Sequence, residues 1–269
     1  MSKTLNKFMF QPRTFDEKTV KDSLEAVSIL NGKEPYYLVG GMATQGYLPS
    51  SCRRPTSDLD FSIARPLTYA DFKQMAKPLD EFLRDSGYDT LFVKGSRAFG
   101  LYLNPEDKSS GIVLEFARRS GNDFERKQKT LEREYSNSRK KIIEERDGTY
   151  RSACPEDIAV PKLVRAVSYL NRNPEFSKLL PERLRSMSTN EVRVILSNIN
   201  SLRAQVSKDI EDSKRVQMLK FVSDAYDLRI LAEIVGFNDD YFEEAEEDWF
   251  KVGDKDLRDM VARATLPQS

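Results

Sequence analysis

Val39-Gly40-Gly41-Met42-Ala43, followed by Arg54-Pro55-Thr56-Ser57-Asp58-Leu59-Asp60-Phe61-Ser62-Ile63, is the stretch from which the architecture can be read. Tyr36 to Val39 is a short run of β-formers stopped by two glycines. Asp58 to Ile63 alternates polar and apolar residues, the period-two pattern of a half-buried strand. Residues two apart on a strand share a face, so Asp58 and Asp60 place two carboxylates side by side. Two bare anions at that range repel, and Leu59 and Phe61 keep water from screening them well. A divalent cation between them relieves the repulsion, and hard oxygen ligands suit Mg²⁺ or Mn²⁺. The glycine turn lets backbone amides approach a phosphate, with a helix N-terminus behind them. Val113-Leu114-Glu115-Phe116 offers a third carboxylate on an apolar strand, either as a metal ligand or as a base. Each piece alone has a plainer reading as a tight turn, a solvated edge or an exposed acid. Together they set charges on strands where an unpaired charge is costly.

Composition narrows the chemistry further. The 269 residues carry 43 Lys+Arg, 43 Asp+Glu and no histidine. Imidazole-based triads and histidine-ligated metals are therefore excluded, leaving carboxylates, Lys or Tyr for acid–base work. A net charge of zero confines any nucleic-acid contact to a local patch. Cys52 and Cys154 are too few for a disulfide framework, which points to a reducing compartment. The N-terminal residues contain no apolar signal-type segment, and no stretch reaches the roughly 20 apolar residues of a membrane span. The expectation is a cytoplasmic protein with no membrane association.

Working outward, Thr14-Phe15-Asp16-Glu17 has capping-box form and predicts a helix over 15–31, ended by Asn31-Gly32. Met42 to Leu48 predicts the next helix. Thr68 to Ser86 predicts another, with Asp71 near its positive end. Strands are expected at 89–93, 98–103 and 111–116. The charged segment 122–148 reads as a solvated helix or ribbon. From about residue 155 the pattern becomes helical, with segments over 156–171, 188–206 and 208–236 and weaker pieces after 238. Ser188-Thr189-Asn190-Glu191 has capping-box form as well. The expected division is an α/β domain over 1–150 and a helical domain over 151–269, an α+β fold.

The order Gly-Gly, Asp-x-Asp, then a hydrophobic-Glu-hydrophobic strand resembles the polymerase-β-type nucleotidyltransferases. Gly40-Gly41-Met42-Ala43 with Arg54 to Phe61 is similar to one branch, the AbiEii and MenT toxins of bacterial toxin–antitoxin and phage-defence systems. Asp157 to Ala166 resembles that branch's lysine-bearing helix, and Asp224-Ala225-Tyr226-Asp227-Leu228 its Arg-Asp-x-x-Asp-Leu motif. The likeness touches islands between about 36 and 235. Met42 stands where the family has Thr or Ser, so Thr44 or Ser57 would have to supply a phosphate-binding hydroxyl. Ser223 replaces a basic residue, and the gap from Lys162 to Asp227 is long.

The resemblance implies a polymerase-β-like core with a mixed sheet, followed by a helical half that contributes Lys162 and Asp227. It implies transfer of a nucleoside monophosphate from an NTP, with Mg²⁺ or Mn²⁺ held by Asp58, Asp60 and Glu115. Gly40, Gly41, Arg54, Ser57 and Lys162 become the nucleotide-binding set. Asp227 becomes a base, or the residue that orients Lys162 or Arg229. RNA, such as a tRNA 3′ end, becomes the acceptor, and a cognate antitoxin the partner. Arg53, Arg54, Arg65, Lys94, Arg97, Arg118 and Arg119 are the candidates to line an RNA groove. Two other readings share the motif: a nucleotidyltransferase acting on a small-molecule or protein hydroxyl, and a non-catalytic nucleotide-binding module.

Overall fold

In the computed structural model, residues 10–174, 188 and 210–248 are described. Apart from Ser188 itself, the expected helix at 188–206 and its capping box, and the first residues of the 208–236 segment, fall outside them. The chain divides into two compact units. One comprises Met1–Gly46 and Thr56–Cys154, the other Tyr47–Pro55 and Pro155–Ser269. The division is therefore not a single cut, because a nine-residue insert from the first half of the sequence (47–55) belongs to the second unit.

The first unit holds α1 (Lys18–Ser28), β1 (Tyr36–Val39), α2 (Gly40–Gln45), β2 (Asp58–Ile63), α3 (Tyr69–Asp85), β3 (Thr90–Lys94), β4 (Ala98–Leu103), β5 (Ile112–Ala117), α4 (Gly121–Asn137), β6 (Arg139–Ile142) and β7 (Thr149–Ser152). The seven strands form one sheet in the order β3-β4-β5-β2-β1-β7-β6. β2 runs parallel to β5 and β1 parallel to β7, and the other neighbours are antiparallel. The sheet is mixed and the fold α+β.

Sequence alternation assigns the faces. Leu38, Phe61, Phe116 and Phe99 are register neighbours and point to one side. There Phe61 stacks on Phe116 at 4.8 Å, and Phe72 of α3 packs on Phe99 at 5.6 Å and on Phe116 at 5.7 Å. These rings form a fully buried core. The opposite face receives the alternate residues, Asp58 and Asp60 among them.

Local signals explain most boundaries. Thr68 and Asp71 form a complete capping box at the start of α3. At α1 the box is half made: the Glu17 carboxylate accepts from the Thr14 amide at 2.8 Å but also takes Arg13 at 2.7 Å, and the helix begins only at Lys18. α2 begins at Gly40 rather than Met42, because the glycine itself makes the turn out of β1. The charged 122–148 segment is a helix followed by the β6–β7 hairpin, and β7 pairs with β1 as an interior strand.

The second unit, among its described residues, contains α5 (Pro155–Arg172), α6 (Ile210–Ile234) and α7 (Asp239–Glu247). Its core joins Ala159, Leu163, Ala166 and Leu170 of α5 to Phe221, Ala225 and Leu228 of α6, with Phe242 of α7. Spacings of three and four residues mark one face of each helix. Among the described residues no helix is long and apolar enough to cross a membrane.

Candidate active site

Parallel pairing of β2 with β5 puts Asp58 opposite Val113 and Asp60 opposite Glu115. Asp58, Asp60 and Glu115 therefore share one face of the sheet, and all three are half-buried. Thr56 donates its hydroxyl to Asp58 at 3.3 Å. Directly paired residues on neighbouring strands lie about 5 Å apart, so Asp60 and Glu115 form a close acidic pair.

Gly40 explains why a glycine follows β1. Its φ is +75°, in the left-handed region that residues with a Cβ avoid. A Cβ at this position would also lie 2.7 Å from Oδ2 of Asp60. The bare Cα is thus required twice, by the turn and by the carboxylate pressed against it. Gly41 has no left-handed φ and lies in the first turn of α2. Gly40→Ala is expected to cost about 1–2 kcal/mol for the backbone alone, and to push the Asp60 carboxylate aside. A urea-unfolding midpoint equal to wild type would contradict both requirements.

Two residues of this face were not singled out from the sequence. Tyr102 of β4 is opposite Val113, and Gly100 is opposite Glu115. A Cβ on Gly100 would meet the Tyr102 ring at 2.5 Å, so the ring leans across the glycine beside Glu115. Burial, with the charges of Glu115 and Asp58 adding to it, pushes the Tyr102 phenol up to about 12. The phenol is a firm hydrogen donor at neutral pH, and its shift registers the negative potential of this face. The available signal was a glycine inside the strand Ala98-Phe99-Gly100-Leu101-Tyr102-Leu103, which marks a close approach.

The hydroxyls divide. Thr44 is fully buried and gives its hydroxyl to the Gly40 carbonyl at 3.0 Å, so it cannot replace the missing residue at 42 as a phosphate ligand. Met42 is itself fully buried in the core. Ser57 is half-buried at the entry to β2, and its hydroxyl has no partner among the described residues.

The remaining expected site residues form a second constellation, inside the other unit. Arg54 is 5% exposed and grips Asp227 with both Nε, at 2.7 Å, and a terminal nitrogen. Lys162, 2% exposed, donates to the same carboxylate at 2.6 Å. Asp224 takes Arg165 in a two-pronged pair at 2.6 Å and lies 3.7 Å from Lys162. Burial alone would raise the Asp227 carboxyl, but Arg54 and Lys162 outweigh it and hold the group below its ordinary range. Asp227 holds Lys162, whereas Arg229 pairs with Glu233 at 2.7 Å. The plainer reading of Arg54 as a solvated loop arginine is corrected, because its guanidinium is buried and paired with Asp227.

The expected RNA-lining residues are placed within their own units. Arg53 is buried and bonds the Leu48 carbonyl at 2.8 Å, and Arg65 pairs with Glu34 at 2.5 Å. Lys94, Arg97, Arg118 and Arg119 lie at the β3–β4 turn and just past the C-terminal end of β5. Asp58 and Asp60 are in the first half of β2, and Glu115 is beside Asp60 on β5.

The donors present suit a hard cation. Among the described residues no group of three or more His, Cys, Asp or Glu side chains stands ready as a metal cage. Mg²⁺ does not need one, since it commonly binds through one or two carboxylates and completes its shell with substrate phosphates and water. Asp58 and Asp60 meet that requirement, with Glu115 next to Asp60.

No protein-family model and no curated protein matches the chain. Among solved structures it is similar to an antigenic nucleotidyltransferase-like protein from Paracoccidioides brasiliensis, at 17% identity and a TM-score of 0.42, over 90% of this chain and 97% of that one. It is also similar to JHP933 from Helicobacter pylori, at 14% identity and a TM-score of 0.34, over 86% and 93%. Likenesses this distant carry no conclusion about chemistry, which rests on the side chains.

Proposed function

We propose that the protein is a metal-dependent nucleotidyltransferase. It moves a nucleoside monophosphate from an NTP to a hydroxyl of an RNA acceptor, such as a tRNA 3′ end, and releases pyrophosphate. The observation that carries the chemistry is the shared face of Asp58, Asp60 and Glu115, with Gly40 held bare against Asp60. The RNA acceptor, and a role as an AbiEii/MenT-type toxin countered by an antitoxin, rest on the motif resemblance alone.

In this reading Asp58 and Asp60 would hold Mg²⁺ or Mn²⁺. When bound, the ion supplies neutralisation of triphosphate charge and a more nucleophilic hydroxyl. The chain itself contributes positioning. Gly40 and Gly41 admit the triphosphate to backbone amides of the first turn of α2, which have no partners within the helix. Ser57 offers a hydroxyl at the edge of the same face. Tyr102, held protonated, offers a donor beside Glu115. Phosphoryl transfer requires little more of a protein than such positioning and charge complementarity. Asp227 is the anchor of Arg54 and Lys162 rather than the base.

The test is incubation with each of the four α-³²P-labelled NTPs, Mg²⁺ and total RNA. Label is expected in the RNA fraction from at least one NTP, and none when the divalent ion is chelated. Label in added protein instead would move the acceptor to a protein hydroxyl. No incorporation into any fraction, with either metal, would overturn the transfer reading.

A further inference from the structure

A cluster of cations lies away from the acidic face. Lys73 of α3 and Lys94 of β3 both sit over the ring of Tyr69, at 5.3 and 5.8 Å. Tyr69 is packed in turn on Phe72 and Phe99 of the core, so the ring is a fixed platform. Arg97 and Arg118 are joined by a backbone hydrogen bond of 2.9 Å at the adjoining strand ends, and Lys94 is opposite Phe99 on β4. The bridge between Leu67 and Arg119 brings the start of α3 to the same edge. Lys73, Lys94, Arg97 and Arg118 are all exposed. None of the four has an ion-pair partner among the described residues.

That absence is informative on a chain with as many acids as bases. Other cations on the first unit do pair: Arg65 with Glu34, Lys18 with Asp22, and Arg84 with Asp80. Asp71, two residues before Lys73, and Asp123, five after Arg118, are engaged locally, and Glu115 belongs to the acidic face. Asp71 caps Thr68, and Asp123 accepts from Ser120 at 2.5 Å and from Arg126. Four positive groups therefore face solvent without an ion-pair partner among the described residues, two of them held over the Tyr69 ring. The exposed large apolar side chains among the described residues are Leu91, Ile142 and Ile234, and none belongs to this cluster. A protein partner would look for an apolar anchor at the centre of its contact.

We propose that Tyr69, Lys73, Lys94, Arg97 and Arg118 form a docking surface for the phosphodiester backbone of a single-stranded polynucleotide. Arg118 is three residues beyond Glu115 on β5, roughly 10 Å along the strand, so the surface is distinct from the acidic face. Binding at this surface is independent of the transfer reaction. Reading charge rather than base edges, the surface binds without sequence preference.

The test is fluorescence anisotropy of a 5′-labelled 15-nucleotide single strand, as RNA and as DNA, between 50 and 200 mM salt. Replacing Lys73, Lys94, Arg97 and Arg118 together by Ala is expected to weaken both by at least about tenfold and to flatten the log–log salt slope by about three. A control with Lys33, Lys108, Lys129 and Lys140 all changed to Ala should bind as wild type does. Circular dichroism and a thermal melt establish that each variant is folded, since all eight side chains are exposed. Binding is measured without NTP or divalent ion, which separates its outcome from that of the transfer chemistry. Unchanged affinity in the first variant, an equal loss in the control, or equally tight binding of polyglutamate would each overturn the proposal.

Discussion

Asp58→Asn and Asp60→Asn should each reduce NTP-dependent transfer by about a thousandfold or more and leave the fold as stable as before, or slightly more so. The two expectations have one cause. The carboxylates share a face of β2 with Glu115 alongside, and each is half-buried. Without a cation they repel one another, so removing one charge relieves strain. With a cation they are its anchor, and a metal is worth several kcal/mol of transition-state charge stabilisation. About 4 kcal/mol is a factor of a thousand in rate. An amide is close in shape to the carboxylate, so the Gly40 contact with Asp60 survives. The pairing of lost activity with retained or raised stability is the discriminating result. Loss of activity with a lowered unfolding midpoint would show the acids to be structural. Wild-type transfer in either variant would end the metal-site assignment.

The acidic face was legible in the sequence because its signals are local. β1 and β2 have the expected boundaries, since alternation and the glycine stop are contained within a few residues. The β6–β7 hairpin was not legible. Arg139 to Ile142 has no apolar alternation, and β7 owes its interior place to pairing with β1 more than a hundred residues away in sequence. Tyr102 was missed for a related reason: its approach to Asp58 and Glu115 exists only through strand register. Arg54 is the clearest limit. Next to a proline in a loop, it reads as a solvated arginine, and its partner Asp227 is 173 positions distant. Sequence periodicity reports which face a residue occupies on its own element, but not which element will cover it.

The Arg54–Asp227–Lys162 cluster sets the second large expectation. Asp227→Asn should destabilise the protein by about 3–5 kcal/mol, the usual cost of removing one partner from a buried ion pair. Asp227 is fully buried, and two cations that are themselves buried depend on its charge. The amide variant keeps the volume and loses the charge, which leaves Arg54 and Lys162 without the carboxylate they share and throws more of their charge onto Asp224. Asp224 is already engaged by Arg165. Lys162→Met should cost less, because it removes a charge while Arg54 continues to satisfy Asp227. The same carboxylate sets an acid limit. Its folded-state pKa lies below the ordinary value of 3.8, so its contribution is fully present above that value and is lost as pH falls through the folded value. Wild-type stability should therefore decline below about pH 4, and the Asp227→Asn variant should lack that component of the decline. Urea unfolding of both proteins from pH 3 to 7 measures this. Parallel stability curves would remove Asp227 from the acid response, and an unfolding free energy within experimental error of wild type at pH 7 would show that the cluster does not depend on its charge.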